Sequence, residues 1–162
     1  MTAGPDRSCT PTFDSLALRD IPVPDHADVV LVPLPDGAPE DPATWARAVF
    51  DPGSAPGWVR ALFGVREALV GLIGVHRAPR HVFAVREVAG QEALIAADAG
   101  HLDFRAGVGV DPVARMVRVT TTVRLHGVRG RIYFAPVRLL HAPVTQAMLR
   151  SAAARLTPTV RS

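Results

Sequence analysis

Between residues 81 and 126 apolar and polar side chains alternate with a period of two, and no other feature limits the fold of this chain as tightly. A strand sends successive side chains to opposite faces, so the alternation specifies half-buried strands with one oily face and one polar face. Leu102, Phe104, Ala106, Val108 and Val110 share one face of a strand, and His101, Asp103, Arg105, Gly107 and Gly109 share the other. In the next strand Val117, Val119, Thr121, Val123 and Leu125 alternate with Arg118, Thr120, Thr122, Arg124 and His126. Turn residues at Ala89 and Gly90, at Ala99 and Gly100, and at Asp111 and Pro112 divide the run into a meander of four antiparallel strands. Gly107 and Gly109 on one face mark a bulge or a close approach by another group.

An oily sheet face must be covered, and residues 129–156 read as the helix that covers it. Pro136 and Pro143 lie inside that helix. Each removes a backbone hydrogen bond and crowds the carbonyl four residues earlier, so a bend or break is expected there. Arg138, His141 and Thr145 form a polar stripe with Phe134 above it and Tyr133 about a quarter-turn away. Pro136, Leu139, Leu140, Pro143 and Ala147 are the apolar residues expected to face the sheet, which leaves the stripe in solvent. Rotation at the prolines is the alternative, and it would turn part of the stripe inward to close a pocket.

Upstream, residues 1–27 carry prolines at 5, 11, 22 and 24 and read as an extended arm with a helical turn near Ser15. A first strand is expected over 29–34. Asp41 as N-cap and Pro42 at the first helical position start a short helix through Trp45 and Phe50. A second helix, 58–73, is apolar around much of its circumference. The expected organisation is an arm over 1–27, one domain over 28–156 and a tail over 157–162. The fold class is α+β: a curved antiparallel sheet, two short helices after its first strand, and a long kinked C-terminal helix across it.

At 162 residues the chain is long enough to bury a core without staples. Cys9 is the only cysteine, so no internal disulfide forms and a zinc cage is not expected. The opening residues lack a secretory pattern, and a cytoplasmic location is expected. Arg60, Arg66 and Glu67 interrupt the apolar stretch 58–75, which therefore reads as a buried or interfacial helix. Residues 1–111 carry a net charge of −6, whereas residues 112–162 hold nine arginines and no acid. The basic third either docks on the acidic remainder or meets an anionic partner. Nucleic acid is not expected, because aromatics make up only 6% of the chain.

Several short stretches carry a resemblance: His26-Ala27-Asp28; Trp45 through Phe50; Trp58 to Leu62 with Arg66; His101 to Arg105; Gly130 to Tyr133; and Pro136, Val137, Arg138, His141 and Met148 to Arg150. In this order they resemble the bacterial family called domain of unknown function 2867. The order of elements is similar to the START-like (SRPBCC, Bet v 1-related) helix-grip superfamily. That resemblance implies a small apolar or amphipathic molecule held between sheet and helix, and some superfamily members are cyclases, aromatases or lipid carriers. Fold alone transfers none of these activities.

The leading expectation is a non-catalytic binding domain for an apolar or amphipathic, and optionally anionic, ligand. Phe104, Arg105, Arg124, Tyr133, Arg138, His141, Trp45 and Trp58 are its candidate ligand-binding residues. Trp45, Trp58 and Phe63 read as core packing, with a pocket lid as the alternative. The alternative is a cyclase, isomerase or hydratase with His141 or His101 as general base and Arg105 stabilising an oxyanion. A third reading is a membrane-surface or interaction module, with a homodimer as one form of it. No phosphate-binding loop, nucleophile elbow or histidine pair at ligand spacing with a carboxylate stands in the sequence. No metal and no cofactor are therefore expected.

Overall fold

The computed structural model of the chain describes residues 14–51, 53, 55–62, 64 and 84–158. Its elements run α1 (Leu16–Asp20), β1 (His26–Pro33), α2 (Pro42–Phe50), β2 (Val85–Ala89), β3 (Glu92–Ala99), β4 (Leu102–Asp111), β5 (Met116–Leu125) and α3 (Gly127–Leu156). Residues 57–62 are also helical, and the rest of the helix expected over 58–73 lies outside the described residues, Phe63 included. The five strands form one antiparallel sheet in the order β1-β5-β4-β3-β2. The fold class is α+β, as the alternation required.

The turns form where the sequence marks them. Gly90 takes a φ of 56°, which costs glycine little because it has no Cβ. Asp111 closes the β4–β5 turn by accepting from the backbone N–H groups of Val113 and Ala114 at 2.9 and 2.8 Å. Asp41 caps α2 by accepting from Thr44 N at 2.8 Å, with Pro42 at the start of the helix. The first strand is longer than its apolar residues announce. Asp25 N donates to Val123 O at 2.8 Å and Leu125 N donates to Asp25 Oδ2 at 2.7 Å, so pairing with β5 reaches back to His26.

The core lies between the oily sheet face and the two helices α2 and α3. Ala106, Val108, Val110, Val117 and Val119 meet Trp45 and Val49 of α2 and Met148, Leu149 and Ala152 of α3, all of them buried. Burying one valine or leucine side chain is worth about 1.5–3 kcal/mol, so this face supplies the largest favourable contribution to folding.

The polar face is not simply a solvated surface. Leu16 and Ala17 of α1 pack on Leu94, and Thr122 Oγ1 donates to Ala17 O at 3.1 Å. Ser15 Oγ donates to Glu92 at 2.6 Å, and Arg118 reaches the other oxygen of Glu92 at 3.0 Å. Gly107 makes this possible, since a Cβ there would overlap the Glu92 carboxylate. Gly109 gives the same clearance to the Arg118 side chain. Both glycines therefore mark a close approach by another group.

Of the bend or break expected at its prolines, the long helix excludes the break, and it corrects the side expected to face the sheet. It is unbroken from Gly127 to Leu156 through both prolines. Pro136 and Pro143 sit on its exposed side, where water can satisfy the carbonyls they leave without a partner. It also presents a different side from the one expected: Leu139 and Leu140 are exposed, at 75% and 44%, while Phe134 and Thr145 are buried. The inward row is Phe134, His141, Thr145, Met148, Leu149 and Ala152, and the polar stripe belongs largely to the interior.

Candidate functional site

The polar stripe of α3 meets β1. His26 and Asp28 are two residues apart on a strand, so both point towards the helix, in line with the buried Val30 and Val32. From α3, His141 turns its Nδ1 to within 2.6 Å of Asp28 Oδ2, a contact between residues 113 positions apart. His26 Nε2 lies 3.3 Å from the same oxygen. The two imidazole centroids are 5.9 Å apart and nearly perpendicular. The three side chains are 14–17% exposed, so the cluster is sheltered but reachable from solvent.

Aromatic rings wall the cluster. The Phe134 ring stands 5.1 Å from His26, the Phe104 ring 6.5 Å from His141, and Phe50 6.5 Å from Phe104. Across the sheet Asp28 pairs with Thr121, whose side chain shares its face. Among the described residues, Asp28 Oδ1 and Thr121 Oγ1 are buried without a hydrogen-bond partner. A buried polar atom left unpaired costs about 1–3 kcal/mol. The pair of unmet atoms at one place is therefore a feature that needs explaining.

Electrostatics at Asp28 are a contest. Burial works to raise its pKa, but the hydrogen bond from His141, the charge of that imidazole and the contact with His26 outweigh it, and the carboxyl is held below the usual aspartate value. An ionised Asp28 accepts from His141 Nδ1–H, which fixes that tautomer and leaves Nε2 as the atom that can serve a bound molecule.

The eight candidate residues separate into distinct places. Phe104 and His141 come together at the cluster. Trp45 is fully buried in the core, its indole N–H donating to Pro39 O at 2.6 Å, and Trp58 is half exposed. Tyr133 packs edge-on against His101 at 4.7 Å near the start of α3. Arg124 and Arg138 are exposed. Arg105 lies on the opposite sheet face, buried at 8% exposure and ion-paired with Asp20 and Asp98. Burial opposes its charge, yet the hydrogen bonds to both carboxylates raise its pKa on balance.

Spacing missed His26 and Asp28 because a ligand search by interval recognises helical pairs, whereas these donors sit on a strand and find their third member far along the chain. The signal available was His26-Ala27-Asp28, a two-residue interval that gives one face only once the segment is known to be extended. The family described as "Protein of unknown function (DUF2867)" matches residues 21–148, a span that includes all three donors. No curated protein and no solved structure matches the chain.

Proposed function

The chain belongs to the DUF2867 family, and from that premise we propose that it is a binding domain of helix-grip, START-like kind for a small amphipathic molecule. The molecule docks at the seam between β1 and α3, with its polar end on His141 and Asp28 and its apolar body against Phe104 and Phe134. One observation carries this reading: a helix with leucines to bury instead exposes Leu139 and turns His141 and Thr145 towards the sheet. Further along, the space between sheet and helix is packed by Val30, Val119, Met148 and Leu149, so the ligand occupies the His141 end of the seam rather than a deep chamber.

Charge narrows the ligand class. An ionised Asp28 repels an anionic head, and the buried Arg105 is committed to Asp20 and Asp98 on the other face. A neutral head with a hydroxyl fits better, donating to His141 Nε2 or to Asp28 Oδ1. Native mass spectrometry of gently purified protein tests this. We expect a bound small molecule that is lost from Phe104→Ala and His141→Ala, and a bare polypeptide in the wild type would overturn the reading.

A second reading, an acid/base enzyme of isomerase or hydratase type, gains from the same geometry. A carboxylate holding one ring nitrogen of a sheltered histidine readies the other for proton transfer. It predicts incorporation of solvent deuterium into the molecule when it is incubated with wild type, and none when the released molecule is incubated alone. No deuterium in either would leave binding alone.

A further inference from the structure

The seam holds more than a hydrogen-bonded dyad. His26, Asp28 and His141 each offer one donor atom, and those atoms all lie within 4.8 Å of one another. Two imidazoles and one carboxylate, with room for water, form the donor set of zinc sites that keep an open position. Oxygen-loving magnesium and calcium are poor matches for a site two-thirds nitrogen.

The distances are close to what an ion requires. Donors about 2.1 Å from a tetrahedral ion are about 3.4 Å from each other. The His26 Nε2 to Asp28 Oδ2 separation is already 3.3 Å. His141 Nδ1 and Asp28 Oδ2, at 2.6 Å, must part by about 0.8 Å for the same edge. The third edge, between the two imidazole nitrogens, lies within 4.8 Å, so closing the site calls for rotation of the histidine rings as well as of the carboxylate. The hydrogen-bonded arrangement is then the protonated form of the site, in which protons on the imidazoles stand where the cation would.

The unmet atoms point the same way. Asp28 receives both histidines on Oδ2 and keeps a buried Oδ1 bare, opposite Thr121, whose hydroxyl is also unpartnered and whose residue is 1% exposed. On this face β5 otherwise buries Val117, Val119 and Val123, so Thr121 is the one hydroxyl it presents there. With an ion present, the carboxylate can swing and the Thr121 hydroxyl has a metal-bound water or the freed carboxylate oxygen to bond.

We propose that His26, Asp28 and His141 form a mononuclear site for a divalent transition-metal ion of zinc type, with Thr121 as its outer hydroxyl and one position open to water or ligand. The site uses residues of the seam described above but does not depend on an organic ligand being there. Its ligands are the neutral imidazoles and the carboxylate, so binding releases protons.

The test is zinc uptake by the full chain after chelator treatment, measured by competition with a chromophoric chelator. We expect one zinc per chain, affinity weakened more than 100-fold, on the order expected for loss of a direct ligand, in Asp28→Asn and His141→Ala, and about 10- to 100-fold in Thr121→Val. Circular dichroism confirms that each variant is folded. Should a variant fail to fold, cobalt(II) added to the wild type decides: strong visible bands of a four-coordinate ion support the site, and the pale spectrum of the hydrated ion overturns it. A dissociation constant weaker than about 1 mM, or zinc uptake unchanged in folded Asp28→Asn and His141→Ala, also overturns it. Native mass spectra separate the two readings. A zinc-loaded chain without organic ligand sinks the small-molecule proposal alone, and an organic adduct without zinc uptake sinks the metal site alone.

Discussion

Asp20 and Arg105 show how a buried charge on this sheet is maintained. The hydrogen bond from Arg105 holds the Asp20 carboxyl below its ordinary pKa, with burial opposing and the charges of Arg105, Arg86 and Arg19 adding to the effect. A depressed native pKa means that, as pH falls below about 5, the unfolded chain takes up a proton that the native state refuses. The stability contributed is present above the unfolded pKa near 3.9 and is lost as pH falls through the native value. Asp20→Asn should therefore have a lower urea midpoint than wild type at pH 6, with the two curves converging towards pH 3. Parallel curves across that range would show that the pair does not couple to folding. At this scale the sequence was legible only in part. Arg105 could be assigned to the polar face, but not its partners, since Asp20 lies in a segment that looks like a loose arm and Asp98 at the far end of a neighbouring strand. His141 was visible as a candidate, whereas its acid was not.

Among the elements, the strands were readable and the last helix was not, for a physical reason. A period of two has only one alternative, a flip of the whole face, and the valines of β5 decide it. α3 has apolar residues around its whole circumference, so hydropathy favours no side of it. What orients it is the fit of Phe134 beside His26 and the pull of Asp28 on His141. This inversion has a measurable consequence. Leu149→Ala, at a fully buried site, should destabilise by about 2–5 kcal/mol, and Leu139→Ala, at 75% exposure, by no more than about 0.5 kcal/mol. Denaturation midpoints of the two variants check it, and comparable losses would mean that the helix is rotated. The early start of β1 escaped the sequence reading similarly, because His26, Ala27 and Asp28 have little strand propensity and are extended only by their pairing with β5.

For the molecule as a whole, the sheet order sets where stability resides. Among the described residues β4 and β5 are flanked on both sides, while β2 pairs with β3 alone and has four of its five residues exposed. Amide exchange should be slowest in β4 and β5 and, among the strands, fastest in β2. Equal protection across the sheet would contradict this arrangement. The other edge strand, β1, pairs among the described residues with β5 alone, and the partners lie far apart in the chain, Pro33 with Met116 and His26 with Val123. At a synthesis rate of about 5–20 residues per second, the first strand emerges roughly 4–17 seconds before its neighbour exists. For that interval the Val-Val-Leu-Val segment waits without its pairing partner, until the ribosome has finished β5.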